Sequence, residues 1–158
     1  MTTNAGRRAS KAVAPRSFDY VRLYRAAPTE RISVIRAGVS ASDVKRFGAE
    51  LHLDQQVMFG ALNLKTATVN RKAARNETLS IEDSERVVGL IKLVGQIEAM
   101  VEESGDPDGF DALEWLSRWL REPLPAIGGD KPINLLDTME GQALLSRALS
   151  QMQSGAYA

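Results

Sequence analysis

The chain has 158 residues, 44% hydrophobic and 25% charged, with no cysteine and a single histidine. That composition fits one ordinary globular domain or two small ones, and it excludes disulfides, thiolate nucleophiles and cysteine metal sites. The formal net charge of zero hides a split. Through Ser80 there are fourteen Lys/Arg against six Asp/Glu, and from Ile81 onward six against fourteen, so the halves stand at +8 and −8. The basic half suits a polyanion such as DNA, through Coulomb attraction and counterion release, while the acidic half would be repelled by it and serves another surface.

Residues 1–17 are small, basic and aperiodic, as expected of a disordered tail. Phe18, Val21, Leu23 and Tyr24 begin the ordered region. Thr29 reads as a helix N-cap, with Ile32, Val34 and Ile35 as the buried side and Gly38 as the stop. Ser40 or Ser42 caps a second helix with Val44, Phe47 and Leu51 on one face. A short helix over 54–62, a tight turn at Asn63 and a second helix from about Thr66 then form a pair whose inner faces bury Val57, Met58, Leu62, Leu64 and Val69. Asn tolerates the left-handed backbone such a turn requires. Lys65, Thr66, Thr68, Asn70, Arg71, Lys72 and Arg75 are left for the outer side. This is the layout of a helix-turn-helix, in which a basic second helix enters the major groove, where Arg pairs with guanine and Asn with adenine. Phe59 stands where the first helix usually carries a small residue.

Ser80 opens the longest helix as a capping box with Asp83, and Val87, Leu90, Ile91, Val94, Ile97 and Val101 mark its apolar stripe. Asp106-Pro107 is expected to start the next helix, with Phe110, Leu113, Leu116 and Leu120 on one face and Trp115 beside Trp119. Pro123 and Pro125 break it. Asp137 or Thr138 caps a last helix over about 139–153, with Ala143, Leu144, Leu145, Ala148, Leu149 and Met152 as a broad apolar stripe and Gln142, Arg147, Gln151 and Gln153 opposite. No β-pattern appears, so the fold is expected to be all-α. The segment Asp106-x-Asp108-Gly109-x-Asp111 lacks a calcium loop's third and last ligands, since Phe110 and Ser117 stand there. With His52 near the end of a packed helix and no cysteine, catalysis, cofactors and metals are not expected. No apolar stretch is long enough to span a bilayer and no secretory core is present, so a cytoplasmic location is expected.

The series Trp119-Leu120-x-x-Pro123, Ile127-Gly128-Gly129, Pro132, Leu135-Leu136-Asp137-Thr138, Gly141 and Gly155-x-Tyr157 resembles the toxin-binding domain of the Xre/MbcA/ParS antitoxins. Upstream, Leu79-Ser80 and Arg86 are similar to the segment preceding that domain. The resemblance covers most of residues 50–158. It implies an antitoxin of a bacterial two-gene module, with a Cro/Xre-like helix-turn-helix and a C-terminal domain that holds a toxin of the RES or related ParT type. Such toxins act on NAD, by consuming it or by ADP-ribosylation. The antitoxin blocks the NAD pocket with its C-terminal region and commonly represses its own promoter, binding operator DNA as a homodimer. These roles would fall here on 137–157 and 65–75. The recognition helix departs from the family: Lys65 replaces a Ser and Ala67 an Arg, and the helix cap is expected to pass to Thr66.

A helix-turn-helix region is thus expected at 18–79 and a dimerisation and toxin-binding region at 80–158. Asp137, Thr138, Glu140, Arg147, Gln151, Gly155 and Tyr157 are the candidate toxin contacts. Asp137 and Glu140 suit arginines that bind NAD phosphates, Thr138 and Asp137 also suit a cap, and Tyr157 suits an aromatic anchor at a tail narrow enough to enter a cleft. Two other readings stay open. One is a dimeric repressor without a toxin, the other a toxin-binding protein that binds DNA only weakly.

Overall fold

The alternation of short amphipathic segments with caps and glycine or asparagine stops yields a helical chain. The computed structural model describes residues 16–155, which hold eight α-helices and no strand. They are α1 (Tyr20–Arg25), α2 (Pro28–Ala37), α3 (Ala41–Glu50), α4 (Gln55–Ala61), α5 (Thr66–Ala74), α6 (Ile81–Glu103), α7 (Ala112–Trp119) and α8 (Met139–Gln153). Two 3-10 turns, Pro125–Ile127 and Pro132–Leu135, join α7 to α8. The all-α expectation holds.

Most starts lie where local chemistry puts them. The side chains of Ser40, Asp54, Ser80 and Thr138 each accept a backbone N–H of the first turn, which would otherwise lack a partner. Two starts differ. α2 begins at Pro28 with Ala27 before it, because Pro at the first helical position gives up an N–H that had no partner anyway. Thr29 therefore lies inside the helix. α7 begins at Ala112 with Asp111 as its cap, not at Asp106-Pro107. Gly105 (φ 88°) and Gly109 (φ 78°) hold left-handed backbone that interrupts any helix through 106–110, and Phe110 is left 42% exposed.

α6 is the axis of the molecule. It buries twelve of its 23 residues, and neighbours such as Val87 and Val88, or Leu90 and Ile91, are buried together, so it is covered on several sides. α1, α2, α7 and α8 pack on it. α1 crosses at Gly95, where a Cβ would lie 2.1 Å from the Tyr20 carbonyl oxygen. Polar groups buried with α6 are satisfied. Gln96 donates to the Ser146 carbonyl at 2.9 Å and to Ser150 Oγ at 3.1 Å, and accepts from Ser146 Oγ at 2.8 Å. Gln142, expected on the outer face of α8, is buried over Gly89 and donates to the carbonyls of Arg86 and Leu136, both at 2.9 Å.

One continuous core spans both sides of residue 80. On its basic side Tyr20 is fully buried against Phe47, with ring centroids 5.5 Å apart, and its hydroxyl donates to Glu50. Burial, and then the Glu50 bond, push the Tyr20 hydroxyl pKa well above its ordinary value. Glu50 also accepts from the Ser17 N–H at 2.7 Å, and Arg16 pairs with Glu98 at 2.5 Å. These last two residues of the expected tail therefore contact the fold, and 1–15 lie outside the described residues. Ile32 and Val57, expected inside, are 42% and 48% exposed, because α2 and α4 are covered on one side only.

Candidate functional site

Asn63 takes φ 54° between α4 and α5, the left-handed turn that lets two helices meet within a few residues. Met58, Phe59, Leu62, Leu64 and Val69 close the inner faces. Phe59 fits because its ring enters the core while its carbonyl accepts from Leu64 N–H at 2.7 Å. α6 secures the turn from below. Arg86 Nε donates to the Leu62 carbonyl at 2.6 Å, and the guanidinium also reaches the Asn63 carbonyl at 3.3 Å and Asp83 at 2.5 Å. Opposite, the chain returning from α5 is tied to the start of α3 by Leu79 N–H to the Val39 carbonyl (2.8 Å) and Ala41 N–H to the Glu77 carbonyl (3.1 Å).

The outward stripe of α5 follows from this packing. Ala67, Asn70, Arg71, Ala74 and Arg75 are exposed at helical spacing, Lys65 is exposed just before the helix, and Thr66, Thr68 and Lys72 are half-buried at its flanks. Lys65 takes the N-cap position without a side-chain cap and Thr66 is the first helical residue, so the cap does not pass to Thr66. Among the described residues, Lys65, Arg71, Lys72 and Arg75 form no ion pair. Asn70, Arg71 and Arg75 can each present a planar donor or acceptor group to a base edge or phosphate, and Ala67 can meet only an apolar group such as a thymine methyl.

The second surface is the outer side of α8 and the turn before it. Thr138 Oγ1 caps α8 by accepting from Gly141 N–H at 2.9 Å, which leaves the Asp137 carboxylate free for other partners. Asp137 borders a shallow hollow shared with Val57, Gly60 and Ala61 of α4 and with Ile133 and Asn134, so the two candidate surfaces adjoin there. The turn is held by Asp130, whose carboxylate accepts from Lys131 N–H and Asn134 Nδ2, both at 2.8 Å, and is thereby kept below the usual Asp pKa. Along α8 only Leu145, Ala148 and Leu149 of the expected apolar stripe are buried. Ala143, Leu144 and Met152 stand exposed with Glu140, Arg147 and Gln151, a mixed apolar and charged face typical of protein contacts. Gly155 is exposed at φ 72°, and Tyr157 lies outside the described residues. Two features were hidden from sequence reasoning, the Arg86 bonds and the burial of Gln142. Both depend on carbonyls brought close only by tertiary packing.

Residues 30–92 match the antitoxin Xre-like helix-turn-helix domain, and residues 108–155 match the antitoxin Xre/MbcA/ParS C-terminal toxin-binding domain. A relative described as "Prs ADP-ribosylating antitoxin", from Sphingobium sp. (strain YBL2), is 67% identical over 158 residues, spanning 100% of this chain and 98% of that protein. With two matching antitoxin domains that together cover most of the chain and a full-length relative at this identity, the chain belongs to the Xre/MbcA/ParS antitoxins, non-enzymatic proteins of toxin–antitoxin systems.

Proposed function

We propose that this antitoxin neutralises an NAD-using toxin by covering its NAD pocket with the segment 137–157, and that it represses its own operon as a homodimer through α5. The mixed face of α8 beside an uncapped Asp137 carries the first part, since an acidic group next to exposed Leu144 and Arg147 can meet phosphate-binding arginines and still bury apolar area. Of the toxin reactions open to the family, ADP-ribosylation is favoured by the name of the Sphingobium relative. We place the protein in the cytoplasm with its operator; among the described residues no helix is long and apolar enough to cross a membrane.

The deciding experiment measures NAD turnover by the cognate toxin alone, with the full chain, and with the chain cut after Gln153. The full chain is expected to inhibit, and the cut chain to inhibit at least tenfold less well. Equal inhibition by both would move the contact back onto α8 itself. No inhibition by either would leave the repressor reading. For DNA, the double substitution Arg71→Ala/Arg75→Ala is expected to lower the slope of log affinity against log salt by about 2, because each phosphate contact releases roughly one counterion. A slope unchanged in an operator titration would remove α5 from the DNA contact.

A further inference from the structure

A groove of about 480 Å³ runs between α1, α2, α6 and α8. Tyr24, Ile35, Val88, Leu93 and Met139 give it apolar walls, and Arg31, Lys92 and Arg147 line it against one carboxylate, Glu85. Arg31 is fixed there: its guanidinium donates to the carbonyls of Ala26 (2.5 Å), Tyr24 (3.1 Å) and Leu23 (3.3 Å), closing the end of α1. Lys92 is different. It is half-buried, yet among the described residues it has neither an ion pair nor a side-chain hydrogen bond. Burial holds its ammonium below the ordinary lysine pKa, and Arg31 adds repulsion. A partly desolvated cation without a counter-charge is unfavourable by itself, and an incoming carboxylate would relieve it.

We propose that this groove is a second docking channel for the toxin, taking a segment that carries a carboxylate to Lys92 and an apolar side chain against Tyr24, Ile35 and Met139. The proposal rests on the toxin-binding reading of α8, since Met139 and Arg147 belong both to that helix and to the groove. Charge complementarity selects the occupant. The lining sets Arg31, Lys92 and Arg147 against Glu85 alone, so it attracts a local carboxylate. The apolar walls offer nothing to a free anion but match a protein side chain.

The test measures affinity of full-length protein for the cognate toxin by calorimetry, for the wild type, Lys92→Met, Lys92→Glu and, on the outer face of α8, Leu144→Asp. Lys92→Met keeps the volume and apolar stem and is expected to weaken binding about tenfold; Lys92→Glu, which opposes like charges, is expected to weaken it at least ~30-fold. Because Lys92→Glu could disturb folding, amine acetylation read by mass spectrometry provides an independent measure: Lys92 is expected to react in the free protein and to be protected in the complex. If Leu144→Asp weakens binding while both Lys92 variants bind as the wild type, the groove proposal is overturned and the α8 reading stands. If the wild type binds no toxin, both fall. Lys92 variants that change the oligomeric state without changing toxin affinity would assign the groove to a second copy of this chain and overturn the proposal.

Discussion

Gly141→Ala is expected to destabilise the protein by about 2–3 kcal/mol, although the same change in an exposed helix stabilises by roughly 0.5–1 kcal/mol. Gly141 sits in the first turn of α8, and a Cβ there would lie 2.1 Å from the Leu135 carbonyl oxygen and 3.0 Å from Thr138 Oγ1. The obstructing atom is backbone in the Pro132–Leu135 turn, so relief requires the turn to move away from the helix. That movement would also pull the Leu136 carbonyl from Gln142 and disturb the Thr138 cap. Urea unfolding measures the loss, and toxin affinity should fall with it because Asp137 is carried by the same turn. Gly60→Ala supplies the contrast. In α4 an added Cβ at Gly60 meets nothing within 4 Å, so that variant should be neutral or slightly stabilised. A Gly141→Ala protein as stable as Gly60→Ala would show that the turn is free to retreat.

Arg86→Ala is expected to cost about 3 kcal/mol, and to cost operator affinity before it costs toxin affinity. The guanidinium serves the Leu62 and Asn63 carbonyls at the end of α4 and the carboxylate of Asp83. Removing it leaves acceptors at a helix end and a half-buried acid without their charged donor, and hydrogen bonds to charged groups contribute about 1.5–3 kcal/mol each. Arg86→Lys keeps the charge but not the planar fork, so it should recover only part of the loss. Denaturant titration gives the stability, and a parallel operator titration under conditions where the variant remains folded gives the second readout. If the alanine variant is within about 0.5 kcal/mol of wild type, the turn is held by Asn63 and the core alone.

The parts of this fold legible in the sequence are those fixed within one helical turn. Ser80 is readable as a cap, and Ser40 and Thr138 each as one of two neighbouring candidates, because a short oxygen side chain before a helical segment has a nearby N–H to serve. The left-handed Asn63 and the outward set on α5 follow in the same way from local geometry and spacing. What was misread needed a partner from elsewhere in the chain. Gln142 resembles a surface glutamine until the Arg86 carbonyl, 56 positions away, and the bare face of Gly89 make a slot for it. Ile32 and Val57 resemble core residues, and only the arrangement of neighbouring helices leaves them uncovered. The groove around Lys92 joins four helices and has no signature in any of them.

The placing of α6 also bears on how long the protein lasts. This helix supports Arg86 under the Asn63 turn and Gly89 and Gln96 under α8, within one unbroken core. Opening α6 would therefore be expected to disturb both surfaces at once. A protease that captures the opened chain therefore ends both activities in a single event, at a rate set by the opening equilibrium of α6. If α5 holds the operator as proposed, operon release and toxin release would share one clock.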